Sequence, residues 1–240
     1  TVSPDKARLL KDYGVNRISM GIQSLDEQLL EKLGRIHTRK MALKSFDTLR
    51  RAGFENVNLD LMFAIPGQTM KIWRETLAET VALGSEHLSC YEVIYEEDTP
   101  LFAQMKAGEF DLDGELAAAM HEELTEFAEG NGYRQYEIAN FARDTAGGDG
   151  ATPGFACRHN INYWRGGSYY GLGPSAAGYE RGQRVKNFSN TQMYCERIEA
   201  GARAIESREE LAPLARAGET AAFGLRMNAG WRFEEFKRIS

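Results

Sequence analysis

A chain of 240 residues with 42% apolar, 10% aromatic and 27% charged side chains reads as an ordinary globular protein of one large or two small domains. Its net charge of −6 and the lack of any Lys/Arg run argue against a nucleic-acid surface, and no apolar stretch approaches the roughly 18 residues of a membrane span. Three widely spaced cysteines, Cys90, Cys157 and Cys195, make a disulfide framework unexpected; with no signal-peptide pattern at the start, the reading is a cytoplasmic protein.

The first helix is signalled at once by Ser3 as N-cap, Pro4 at its first position and Asp5 in its first turn. The chain starts at Thr1 rather than Met and stops just after a short helix, Phe233 to Ile239, so it is expected to be a fragment of something longer. Asn16 to Gln23 reads as a strand, followed by a helix from Asp26 to Leu33 that Ser24 and Glu27 are expected to open as a capping box. Thr38 caps a longer helix, Arg39 to Ala52, which stops at Gly53. The next strand, Asn56 to Ile65, ends at Pro66-Gly67, and Thr69 caps a helix through Trp73, Leu77 and Val81. A third strand spans His87 to Ile94. Leu112 to Gly130 is helical by the spacing of Leu116, Met120, Leu124 and Phe127, and Tyr133 to Phe141 is a fourth strand. Asp144 to Gly154 is a Gly-rich connector whose tip is expected to be mobile; an aromatic segment and a helical tail from Thr191 complete the chain.

Strands separated by helices imply right-handed βαβ crossovers and a parallel sheet. Such strands are usually near-continuous apolar runs, and these are not. Alternation puts Asn58 and Asp60 on one face with Met62, opposite Val57, Leu59 and Leu61, and sets Gln135 beside Glu137. Polar groups repeated on one face suit the ligand-lined lumen of a barrel or half-barrel, whose working residues stand at the C-terminal strand ends.

Two constellations carry chemistry. Asp60 sets a carboxylate inside a strand, Gln23 closes the strand before it, and Arg35 follows Gly34 in a loop near the strand tops. A carboxylate accepts from ribose hydroxyls, an arginine fork grips a carboxylate, and an amide serves either. The trio therefore reads either as a holder for a small ligand with an amino-acid end and a ribose, or as an Asp60–Arg35 salt bridge across the sheet top. The second constellation is His159-Asn160-Ile161-Asn162-Tyr163-Trp164, with an imidazole, two carboxamides and two flat rings in six residues. It reads either as a strand with Tyr163 and Trp164 in the core, or as a site for a large, flat, polar-rimmed ligand. Cys157 is a weaker iron-ligand candidate than His159. His87 and His121 read as solvated or structural, and Glu92 and Glu137 as lumen acids or partners of a buried arginine.

Arg17 to Ser24, then Leu33-Gly34-Arg35, then Asn58 to Gln68, taken in that order, resemble the central part of the radical S-adenosylmethionine barrel, in the branch containing oxygen-independent coproporphyrinogen III oxidase. The resemblance implies that Gln23, Arg35 and Asp60 contact S-adenosyl-L-methionine. The His-Asn-x-x-Tyr-Trp run is similar to that of the haem chaperone branch, which implies a haem site of His159, Asn160, Tyr163 and Trp164, with His159 as candidate iron ligand and haem-accepting proteins as partners. The oxidase is the alternative function. The implied fold is α/β: a partial barrel of parallel strands over residues 1–142, an irregular and β segment over 143–190 carrying the haem motif, and a helical C-terminal domain from 191 to 240. The family's three-cysteine CxxxCxxC motif is missing. A 4Fe-4S cluster is accordingly expected in the full-length protein only, and the chain by itself is expected to be inactive.

Overall fold

The computed structural model describes residues 2–145, 150, 152–180 and 182–239; the expected tip of the Gly-rich connector falls largely outside them. The chain divides into two units, Thr1–Ala156 and Cys157–Ser240.

The first unit runs α1 (Pro4–Asp12), β1 (Ile18–Gln23), α2 (Glu27–Lys32), α3 (Arg39–Arg51), β2 (Val57–Phe63), α4 (Met70–Ala82), β3 (His87–Glu92), α5 (Pro100–Lys106), α6 (Gly114–Gly130), β4 (Tyr133–Glu137) and β5 (Asn140–Arg143). Helix starts follow local chemistry: the hydroxyls of Ser3, Thr38 and Thr69 each accept the N–H three residues on, which would otherwise lack a partner. At α2 the expected Ser24/Glu27 capping box does not form. Asp26 is the N-cap, accepting from Leu29 N–H at 3.0 Å, while Ser24 accepts from Asp26 N–H and Glu27 turns away to the N–H of Arg39. Asp26 stands two residues nearer the helix than Ser24, immediately before its first residue, and takes the cap. Helix α5 was not anticipated, although Thr99 caps it and Pro100 opens it.

β1, β2 and β3 pair in parallel as expected. The fourth strand differs. Tyr133 to Phe141 is not one strand but a hairpin, β4 and β5, turning at Ile138 and Ala139, and β5 pairs antiparallel with β3, giving the order β1-β2-β3-β5-β4. The turn has no Gly or Asn-Gly to announce it; the buried Glu137 carboxylate holds it instead, accepting from Ala139 N–H at 2.9 Å and from the Asn140 side chain.

One face of the sheet is the core. Val57, Leu59 and Leu61 of β2 are fully buried, with Leu88, Phe141, Trp73, Leu77, Met120 and Leu124 in the same cluster. The opposite face carries the polar set: Ser19 and Gly21 on β1, Asn58 and Asp60 on β2, His87 and Ser89 on β3, aligned row by row by the ladder. Packing thus fixes the strands from behind; on the polar face Asn58, His87 and Ser89 are buried, Asp60 is half-buried, and Ser19 and Gly21 are exposed.

In the second unit, α7 (Arg158–Trp164) precedes β6 (Ala177–Glu180) and β7 (Gln183–Asn187), then α8 (Thr191–Glu199), β8 (Ile205–Glu210), α9 (Pro213–Gly224) and α10 (Phe233–Ile239). The stretch from Thr191 is not helical throughout: β8 joins β6 and β7 in an antiparallel sheet. Its sequence, IESREE, is almost wholly exposed, so no alternation of apolar residues marked it. Among the described residues no helix is long and apolar enough to cross a membrane.

Candidate functional site

Asp60 lies mid-strand with its carboxylate in a polar nest. Ser19 donates to both carboxylate oxygens at 3.2 Å, and Asn58 Nδ2 donates to Oδ1 at 2.7 Å. Its register partner on β1 is Gly21, and a Cβ there would sit 2.6 Å from Gln23 Nε2 and 4.0 Å from Asp60 Oδ2. The glycine therefore leaves the space in which the Gln23 amide lies over the strand, next to the carboxylate. A β-bulge at Ile22 aims that amide: Gly21 pairs with Asp60 but Gln23 with Leu61, and Gln23 is held at φ 60°. Ala64, just past the end of β2, is likewise left-handed at φ 56°. Non-glycine residues in this region carry backbone strain, which collects at ligand sites.

Arg35 is exposed, in the loop after Gly34. That loop is tied to the end of β1 by His37, whose Nε2 is 3.2 Å from the Ile22 carbonyl. No Asp60–Arg35 ion pair forms among the described residues, so the salt-bridge reading of the trio falls. The structure brings Gln23 and Asp60 together on the strand face and leaves Arg35 exposed in its loop.

Asn58 is the hub of a buried network. Its Oδ1 accepts from the Ser89 hydroxyl at 3.1 Å and faces His87 Nδ1 at 2.6 Å, and His87 Nε2 is 2.8 Å from the Tyr136 hydroxyl. Burial first, and then the Arg17 charge, depress the His87 pKa to about 3, so the ring is neutral. Cys90 is buried on the core side, and desolvation followed by the Asp60 charge pushes its thiol up, so it is no thiolate ligand. Of the other candidates, Glu92 is exposed, and His121 packs against the Phe63 ring.

In the second unit His159 to Trp164 lies on helix α7, so the strand reading of this run is corrected. Helical spacing sets His159 on the same face as Tyr163, and their rings meet edge-on at 4.8 Å; Asn160 and Trp164 repeat the same offset. Helix α7 ends in a tight turn in which Asn162 Nδ2 donates to the Ser168 carbonyl. A Cβ at residue 167 would lie 2.1 Å from Asn162 Oδ1, so glycine there leaves the Asn162 amide its place in the turn. Tyr163 then meets Tyr169 at 4.4 Å, and Tyr169 stacks on Tyr179 at 6.2 Å. These rings, with Trp164 and Phe223, line a cavity of about 470 Å³. Arg184 and Arg216 supply its positive charge; Arg184 is paired with Glu209 and Glu219. His159 is exposed, and neither it nor Asn160 is among the lining residues. Cys157 is buried at the start of α7. The sequence offered no sign of Arg184, Arg216 and Phe223 as wall residues, because β7 and α9 bring them in from far along the chain.

The first 80 residues match the model of the radical SAM superfamily. The chain is 36% identical over 230 residues to the heme chaperone HemW of Bacillus subtilis (strain 168), covering 95% of this chain and 58% of that protein. It is 35% identical to the heme chaperone HemW of Lactococcus lactis subsp. lactis (strain IL1403), covering 98% of this chain and 60% of the relative. It thus spans less than two thirds of the length of these relatives. Among solved structures, the coproporphyrinogen III oxidase (HemN) from Escherichia coli, a radical SAM enzyme, superposes with a TM-score of 0.78 over 99% of this chain and 55% of that one. At 18% identity that likeness speaks for the fold alone. Taken with the polar face that its first strands build, these matches agree with the resemblance carried by the motifs: the chain belongs to the radical SAM superfamily.

Proposed function

We propose that this chain is the greater part of a cytoplasmic haem chaperone that binds S-adenosyl-L-methionine around Asp60, takes haem on its second unit and hands it to haem-accepting proteins. The aromatic cavity is the observation that carries the reading. A porphyrin needs flat apolar walls, and Tyr163, Trp164, Tyr169 and Phe223 supply them; Arg216 and Arg184, the latter paired with Glu209 and Glu219, stand at the wall to face its propionates. Exposed on the same helix as two of those rings, His159 is free to offer an imidazole to the iron. The heme chaperone relatives in two bacteria support the same reading.

The S-adenosyl group fits the residues of the first unit: the Gln23 amide, lying over Gly21, would serve a ligand's polar edge, Asp60 would accept from ribose hydroxyls, and Arg35 would receive a carboxylate. A 4Fe-4S cluster does not fit. No group of three or more His, Cys, Asp or Glu that could hold a metal exists among the described residues. Anaerobic treatment of this chain with iron and sulfide is therefore expected to give no stoichiometric cluster absorbance, and a full cluster signal would refute this.

Haem titration followed at the Soret band tests the chaperone reading. The parent chain should bind haem; Tyr163→Ala should weaken binding about tenfold by removing a wall ring, and His159→Ala should move the Soret maximum through loss of an iron ligand. If both variants bind as the parent does, with the same spectrum, the cavity is not the haem site. Turnover of coproporphyrinogen III by a protein carrying this chain would favour the oxidase instead.

A further inference from the structure

The carboxylate of Asp60 does not stand alone on its strand. Behind it a line of side chains crosses the sheet from the exposed Ser19 on β1 through the buried Asn58 on β2 and His87 on β3 to Tyr136 on β4. Asn58, His87 and Tyr136 are 1%, 0% and 2% exposed, so each polar atom depends on its neighbours for hydrogen bonds.

The direction of every bond follows from the end of the line. An ionised Asp60 only accepts, so the group 2.7 Å from its Oδ1 must be the Asn58 NH₂ and not the amide oxygen. That forces Asn58 Oδ1 toward β3, where the Ser89 hydroxyl donates to it. His87 Nδ1, 2.6 Å from the same oxygen, must then carry the ring proton, since two acceptors at that distance repel. Because the ring is neutral, Nε2 is bare, and the Tyr136 hydroxyl must donate to it. Tyr136 stands at a second β-bulge: Gln135 pairs with Phe141 and Glu137 with Asn140, so the register shifts at Tyr136, whose hydroxyl lies 2.8 Å from His87 Nε2. The two rings meet edge-on at 5.6 Å.

We propose that Tyr136, His87 and Asn58 are positioning residues for the S-adenosyl site: a one-way hydrogen-bond relay that fixes the Asn58 amide and so sets the Asp60 carboxylate to accept the ligand's hydroxyls. The inference rests on the reading of Asp60 as a ligand group. Reversing the His87 tautomer, or deleting the ring, frees the Asn58 amide to turn its oxygen on the carboxylate, which then shifts away from its ligand-ready place.

The test uses the 240-residue chain with S-adenosylhomocysteine as probe, binding read by calorimetry and the His87 ring nitrogens by nitrogen-15 NMR. In the parent, the proton sits on Nδ1. His87→Leu is expected to weaken the probe about tenfold, and Tyr136→Phe roughly threefold. His87→Asn, which can return an N–H near the place of Nδ1, recovers most of the affinity. A merely structural role would lower the unfolding temperatures of the Leu and Asn variants alike without separating their affinities. Should His87→Leu fail to fold, Tyr136→Phe and the parent's tautomer decide. A proton on Nε2 in the parent overturns the relay, as does unchanged affinity in these variants while Asp60→Asn loses the probe; in both cases the site reading stands. If the parent does not bind the probe, or if Asp60→Asn binds it as well as the parent, the site reading fails and takes the relay with it.

Discussion

Lowering the pH from 7 to about 4.5 is expected to remove roughly 2–3 kcal/mol of stability from the first unit through His87 alone. In the fold this imidazole titrates near 3, held down by burial and the Arg17 charge, whereas in the unfolded chain it titrates near 6.5. Below about 6.5 the unfolded chain takes up a proton that the folded chain refuses. Stability is therefore full above that pH, falls by about 1.4 kcal/mol per pH unit beneath it, and levels off only near pH 3. Protonation of the ring would also set a second N–H against the Tyr136 hydroxyl, which would have to turn its own proton away. Urea unfolding at several pH values checks this. His87→Asn, which has nothing to titrate, should show a pH slope shallower by about one proton between pH 4 and 6. Equal slopes in parent and variant would show that His87 carries no such load.

Trp73→Ala is expected to destabilise the first unit by about 4 kcal/mol. Trp73 is fully buried on α4, its ring packs against Phe63 at 5.8 Å, and its indole N–H donates to the Met120 carbonyl of α6 at 2.9 Å. Truncation leaves a cavity behind β2 and removes the indole's bond to a carbonyl that keeps its place in the helix, and the cavity carries most of the cost. Trp73→Phe separates them, since it refills most of the volume but returns no donor; about 1–2 kcal/mol should be lost. Chemical denaturation followed by circular dichroism measures both. A loss under about 1 kcal/mol for the alanine variant would mean that the core behind β2 closes over the gap.

Where local chemistry decides, the sequence was readable. Ser3, Thr38 and Thr69 cap the helices they were expected to cap, and the alternation of β2 puts Asn58 and Asp60 on one face and Val57, Leu59 and Leu61 on the other. Gln23 and Asp60 stood out because a polar group inside a buried strand is costly without a purpose. What stayed hidden depends on contacts made across the chain. The hairpin at Ile138 has no turn residues of its own and rests on Glu137. Tyr136 stands at a bulge, which no periodicity announces. His87 gave no sign of its work because its two partners lie on β2 and β4. The run from His159 to Trp164 lies on a helix, which overturns the strand reading. Its i, i+4 pairs, His159 with Tyr163 and Asn160 with Trp164, were the helical signal.

Gln23 and Ala64 mark where hardening this protein for use would collide with its purpose. Both hold a left-handed backbone that glycine adopts freely, which is why a screen for heat resistance would favour glycine at either place. At Ala64 the exchange removes a methyl group and about 1–2 kcal/mol of strain, part of it returned as entropy of the unfolded chain. At Gln23 the same exchange deletes the amide beside Asp60, which the proposed site needs, for the same relief of strain. Selection for survival alone would not tell these two outcomes apart, so any such screen has to carry a ligand.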